Sequence, residues 1–260
     1  LFGATGYYDY AQGHAPHFEG QEDFAGEIVH PQFWPEDLDY QGKQVVVIGS
    51  GATAVTLIPA MADDTAHITM LQRSPSYVMP LPKQDPIANG LRKVLPDTVA
   101  YRVTRSINKG RQRLIYGASQ RYPKQVRRII RALNVKALPE GYDVDTHFNP
   151  KYNPWDQRMC AVPDSDLFTA ISQGKAEVVT DQIERFTKTG ILLKSGRELP
   201  ADIIVTATGL KLLPFGGIQV SVDGQVKNPH DSLVYKSFML SDIPNMAFAF
   251  CSIAPTSPST

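Results

Sequence analysis

Apolar positions along this chain switch between two periods, and the switches outline its elements. Residues 45–48 (VVVI) are an unbroken β-branched run, and similar runs return in HITMLQ (67–72), AEVVT (176–180) and ADIIVTATG (201–209). Such apolar, β-branched runs predict strands. Between the first two lies Val55 to Ala62, apolar and of helical length. IERFT (183–187) and GILLK (190–194) predict further strands, and DLFTAI (166–171) a helix. The expected class is α/β.

The turn after residues 45–48 sharpens that expectation. It reads Gly49-Ser50-Gly51-Ala52-Thr53-Ala54. Gly49 allows a tight turn, Gly51 lets the backbone approach a pyrophosphate, and the small Ala54 lets helix and strand pack closely. The helix start then offers free N–H groups and a positive dipole end. Alone the pattern is also that of an ordinary glycine turn; between a strand and an apolar helix it predicts a Rossmann-like dinucleotide-binding domain. An acidic residue ending the second strand would bind the ribose 2′-hydroxyl of NAD. This chain has Gln72-Arg73-Ser74 instead, and the Arg73 fork matches a 2′-phosphate, with Ser74 adding a hydroxyl. NADPH is therefore expected over NADH, against the alternative of a surface arginine. Pro59 should remove a hydrogen bond and kink the glycine-loop helix.

Residues Pro80 to Asn149 break this pattern and predict a helical insertion. From Arg102 to Lys136 there are eleven Lys/Arg and no Asp or Glu, with Leu114, Ile115, Val126, Ile129, Ile130 and Leu133 near helical spacing. Three readings stay open: a solvated basic face, an interfacial helix attracted to anionic lipid, and a nucleic-acid patch. The last lacks stacking aromatics in a recognisable module. Pro154 and Pro163 then stiffen an expected loop that displays Arg158, before an acidic helix start at Asp164-Ser165-Asp166.

Composition narrows the classes. Apolar residues make up 42% and charged residues 20% of 260, with a formal net charge of zero. That is an ordinary globular balance, with no global field favouring nucleic acid. Cys160 and Cys251 lie far apart and form no CxxC or metal-ligand spacing, so no metal site is expected. No apolar run approaches the roughly 18 residues of a membrane span. A cytoplasmic location is expected, with peripheral membrane contact through helices at 102–136. The chain starts without Met at LFGATGYYDY and stops at CSIAPTSPST, so an internal fragment is expected, with the origin of the tail from about Cys251 left open.

Two further motifs carry a resemblance. Ala4-Thr5-Gly6 and Ala207-Thr208-Gly209 are similar to the ATG linkers of two-dinucleotide-domain flavoproteins. FAGEIVHPQFWP places Phe24, Gly26, His30, Trp34 and Pro35 as in the fingerprint of Baeyer–Villiger monooxygenases. N-oxygenating flavin monooxygenases usually end that fingerprint in Tyr or Phe. With VVVIGSGATAVTL, MLQRSP, LPEGYDV, YNPWDQR, SGRELPADIIVTATG and DIPNMAF, nearly the whole chain resembles the ethionamide-activating branch of class-B flavin monooxygenases. The resemblance implies FAD and NADP as cofactors. It also implies dioxygen and NADPH as co-substrates, and a small ketone or a thioether or thioamide as the group oxidised. It implies an FAD-domain exit, linker and fingerprint over 1–40, an NADP-binding domain over 41–210 with the insertion at about 80–150, and a return segment over 211–260. Residues 49–54, Arg73, Ser74, Thr208 and Gly209 would bind cofactor. His30 and Trp34 would act as hinge and coupling residues. By motif position Arg158 resembles the family's catalytic arginine; its alternative is an ion pair with Asp156 or Asp164. The rival classes are a non-catalytic NADP(H)-binding module and an N-oxygenating flavin monooxygenase. The FAD-binding GxGxxG of complete family members does not occur in this sequence.

Overall fold

A computed structural model describes residues 1–249, so Cys251 and the tail lie outside the described residues. The described residues divide into two compact units, one of residues 15–208 and one of residues 1–14 with 209–249.

In the smaller unit, β1 (Phe2–Gly3) pairs in parallel with Ala247–Phe248, and β2 (Tyr8–Gly13) pairs antiparallel with Leu210–Leu212. Val220, Leu240, Ile243 and Phe248 form its core, and Phe215 meets Phe248 edge-on at 4.5 Å.

The larger unit is built on a five-stranded, wholly parallel sheet. Its strands are β3 (Glu27–Val29), β4 (Gln44–Ile48), β5 (His67–Gln72), β8 (Ala176–Thr180) and β12 (Ile203–Thr206), in the order β3-β12-β4-β5-β8. Two other strands, β6 (Tyr77–Leu81) and β7 (Met159–Pro163), form a separate parallel pair. A three-stranded antiparallel sheet joins β9 (Ile183–Thr187), β10 (Gly190–Leu193) and β11 (Glu198–Pro200).

The unbroken apolar runs follow from burial on both sides. Val45 and Val47 pack on one face with Val55, Ile58, Leu167 and Phe168. Val46 and Ile48 pack on the other with Phe186, Ile191 and Leu199. The first face is covered by α1 (Ala52–Met61) and α6 (Asp166–Ser172), the second by the antiparallel sheet. Period-two alternation thus separates two apolar layers rather than core from water.

The insertion is helical, as its periodicity predicts: α2 (Pro86–Val94), α3 (Asp97–Arg121), α4 (Pro123–Ala137) and α5 (Val144–Phe148). Its basic side chains are partly tied down, since Arg131 grips Asp145 through two hydrogen bonds of 2.8 and 2.6 Å. Pro59 lies inside α1, near its C-terminal end, and the helix runs on to Met61 in one piece. Ala62 N–H still reaches the Ile58 carbonyl at 3.0 Å, so the bond lost to Pro59 is a local one.

Two elements differ from the sequence expectation. Pro154 and the exposed Arg158 lie in the expected loop, but Pro163 does not, because the loop ends at Met159. It leads directly into β7, where Pro163 pairs with Leu81 and Val162 with Pro80. A proline is tolerated in such a two-stranded pair because its missing N–H can face outward. The fingerprint also contributes a strand, β3, which pairs with β12. Gly26 is required there, because a Cβ would run into the Asp202 carbonyl. Phe24 is buried and meets Phe186 edge-on at 6.3 Å.

Candidate dinucleotide and arginine site

The glycine turn sits where the C-terminal ends of β4 and β5 meet the start of α1. Gly49 takes φ +141°, and its N–H donates to the Leu71 carbonyl at 2.8 Å. A Cβ at Gly49 would lie 2.5 Å from the Ala207 carbonyl oxygen, so the turn packs backbone-to-backbone on the second Ala-Thr-Gly motif. Thr208 bonds back to the Thr206 carbonyl at 3.5 Å, and Gly209 has φ +115°. Ala54 is fully buried in the core, as its small size predicts.

Gly51 is different. A Cβ there would meet nothing within 4 Å. Gly51 is also the N-cap of α1, and no side chain caps that helix end. The first helical residues, Ala52 and Thr53, are exposed, and helix geometry leaves their N–H groups without intrahelical acceptors. The neighbouring helix α2 shows the contrast, since Asp85 accepts from Ile87 N–H at 2.9 Å and Ala88 N–H at 3.2 Å. An uncapped N-terminus with open space at its glycine fits a pyrophosphate.

Arg73 and Ser74 leave the end of β5 exposed. Among the described residues Arg73 has no hydrogen bond or ion pair, so its donors are available to a ligand. Gln72 before it is committed inward. Its Nε2 donates to the His147 carbonyl and to Thr180 Oγ1, both at 2.8 Å.

Arg158 is brought to this turn across 108 residues. Its Nη2 donates to Ser50 Oγ at 2.9 Å and its Nε to Ser76 Oγ at 2.9 Å. The two hydroxyls are 3.0 Å apart, and Ser50 Oγ reaches the Ser74 carbonyl at 3.4 Å. Asp156 and Asp164 accept backbone N–H groups instead, from Asn153 and Lys83. A ladder of aromatic hydroxyls supports the segment: Tyr77 donates to the Tyr152 carbonyl, and Tyr152 to the Arg158 carbonyl. Burial pushes the Tyr77 hydroxyl up, which keeps it a donor. Behind Arg158, Cys160 Sγ lies 3.8 Å from the Ser50 carbonyl. Burial raises its thiol pKa, with the Arg158 charge pulling the other way.

The fingerprint reaches the same helix. His30 caps a short 3-10 turn, its Nδ1 accepting from Gln32 N–H at 3.2 Å. Trp34 meets Tyr40 edge-on at 6.5 Å. With Pro31, Trp34 lines a groove of about 450 Å³ whose other wall is Ala52, Thr53, Thr56 and Leu57 of α1. Pro35 follows, and its carbonyl accepts from Leu38 N–H at 3.4 Å. Ser76 is the site residue that sequence reasoning missed, since a serine between a proline and a tyrosine carries no distinctive signal. Among the described residues, no group of His, Cys, Asp or Glu could hold a metal ion.

No family model matches the chain. It is 58% identical over 95% of its length to FAD-containing monooxygenase EthA of Mycobacterium tuberculosis, of which it covers 51%. It is 52% identical to the probable FAD-binding monooxygenase AlmA of Acinetobacter sp, over 95% of this chain and 50% of that protein. The chain therefore spans about half the length of these curated relatives. Its fold matches cyclohexanone monooxygenase from Rhodococcus sp. Phi1 bound to NADP⁺, with TM-score 0.69 and 20% identity, over 95% of this chain and 54% of that one.

Proposed function

We infer that this chain, which is similar in sequence to FAD-containing monooxygenases, is the NADPH-binding half of a flavin monooxygenase acting on ketones or on the sulfur of a thioether or thioamide. The observation that carries the reading is the convergence of Arg158 on the glycine turn. A guanidinium fixed beside the glycine turn, on the buried hydroxyls of Ser50 and Ser76, favours this reading over a bare nucleotide module.

The exposed N–H groups at the start of α1 would hold the NADP pyrophosphate, and Arg73 the 2′-phosphate. Ser74 and Thr208 would complete the nucleotide cradle. NADPH supplies hydride and FAD the oxygen-activating centre. The residues of this chain orient and stabilise. A guanidinium keeps its charge, so Arg158 can stabilise an anionic oxygen poised to attack a carbonyl carbon. Trp34 lines the groove against α1, and His30 holds the turn that leads to it. They are positioned to couple movement of that turn to the nucleotide site rather than to move protons.

Cofactor choice is testable at one residue. Arg73→Ala should weaken NADPH binding about ten- to a hundredfold and leave NADH nearly unchanged. A charge-assisted pair contributes roughly 1.5–3 kcal/mol. Equal losses for both nucleotides in parallel titrations would remove Arg73 from the 2′-phosphate.

A second part of the reading concerns the insertion. Among the described residues, no helix is long and apolar enough to cross a membrane. Yet Leu114 is 74% and Ile129 59% exposed, amid the basic residues of α3 and α4. Exposed aliphatic groups beside an all-basic segment complement an anionic lipid surface. The protein should therefore co-sediment with phosphatidylserine-containing vesicles at low salt and less so at high salt. Leu114→Asp should reduce the bound fraction several-fold. Equal binding to purely zwitterionic vesicles would defeat this part.

A further inference from the structure

We propose that Ser76, together with Ser50, is a positioning residue for Arg158, a two-hydroxyl latch that fastens the guanidinium to the glycine turn. The inference rests on the catalytic reading of Arg158 for its consequence, but not for its geometry.

The geometry is specific. Arg158 is exposed, whereas Ser50 is 5% and Ser76 1% exposed, so the arginine reaches inward to two buried partners. Protons can be assigned throughout. Both hydroxyl oxygens accept from the guanidinium, at 2.9 Å each. Ser50 donates onward to the Ser74 carbonyl, so Ser76 gives its proton to Ser50. Each hydroxyl then donates once and accepts at least once, and no buried polar group is stranded. The latch engages the Nε–Nη2 edge of the fork. Among the described residues Nη1 has no partner, which leaves that end of the guanidinium for an anion.

The sequence places the parts far apart. Ser50 follows β4, Ser76 precedes β6 and Arg158 precedes β7. The parallel pairing of β6 with β7, starting at Tyr77 opposite Met159, brings Ser76 beside Arg158. Ser50 belongs to the loop expected to carry the pyrophosphate. The position of Arg158 is thus tied directly to that loop. A lysine could not reproduce the arrangement, because it has no planar fork to span two hydroxyls.

The test is a double-mutant cycle in the full-length holoenzyme that contains this chain. Ser76→Ala should lower kcat for ketone oxygenation about tenfold, the lower range for losing a hydrogen bond to a charged group, while KM for NADPH moves less than twofold. The double variant Ser76→Ala/Arg158→Ala should be no slower than Arg158→Ala alone, because Ser76 acts only through the arginine. Ser76→Cys, which keeps the volume but accepts hydrogen bonds weakly, should match Ser76→Ala and serves where the alanine variant fails to fold. A second readout does not depend on turnover. In ¹⁵N-arginine-labelled protein the Arg158 Nε–H should be protected from solvent exchange in the parent and lose that protection in Ser76→Ala. Additive losses in the cycle, or equal protection in both proteins, would overturn the latch. If Arg158→Ala alone left ester formation intact, the catalytic reading would fall while the exchange comparison still decided the latch.

Discussion

Replacing Arg158 by alanine in the full-length enzyme is expected to cut ketone oxygenation about 10²–10³-fold while NADPH-driven flavin reduction stays measurable. That magnitude is typical for removing one preorganised stabiliser of a developing oxyanion. The expectation follows from position as well as charge. The guanidinium lies on Ser50 of the glycine turn, its Nη1 end unpartnered among the described residues, and the two nearby aspartates are engaged by backbone N–H groups. Its charge is therefore not quenched by a carboxylate. Arg158→Lys should recover little, since one ammonium cannot meet both Ser50 and Ser76. Ester yield measured beside NADPH consumption separates the two steps. Normal ester formation in Arg158→Ala would end the catalytic assignment.

The second large effect divides the two glycines of the turn. Gly49→Ala should destabilise the larger unit by about 2–4 kcal/mol, because an alanine at φ +141° is strained and its Cβ would sit 2.5 Å from the Ala207 carbonyl oxygen. In a unit of this size that is roughly 5–15 °C in Tm. Gly51→Ala should leave Tm within about 2 °C of the parent, because its Cβ would meet no protein atom within 4 Å. Its methyl would instead occupy the space through which a pyrophosphate approaches the helix end. NADPH affinity should then fall about tenfold or more, equivalent to at least ~1.4 kcal/mol. Thermal melts and nucleotide titrations on the two variants settle the matter. A Gly51→Ala protein that binds NADPH as tightly as the parent would show that the backbone there is not approached.

The runs at 45–48, 67–72 and 176–180 were legible as strands because burial on both faces demands unbroken apolar residues. The helix at 166–172 and the helical insertion were legible from periodicity. What stayed hidden was set by pairing rather than by local preference. Residues 159–163 read as loop and 80–81 as the start of the helical insertion, yet 77–81 and 159–163 make each other strands. The three-residue strand in the fingerprint is too short for a period to show. Of the site, Gly49, Gly51 and Arg73 could be marked from one segment each. The Ser50–Ser76–Arg158 cluster could not, because it exists only where three distant stretches of chain meet.

The strand order also governs how the larger unit can be made. β12 lies between β3 and β4, so these two strands never touch each other and both wait for a third. Gln44 N–H bonds the Asp202 side chain across 158 residues. At ~5–20 residues per second on the ribosome, that separation is roughly 8–30 s of synthesis. During it β3 and one edge of β4 stand without their native neighbour, and open apolar edges recruit other chains. A cell producing this protein must shelter the emerging half-sheet through that interval, so added holdase chaperone should raise its soluble yield.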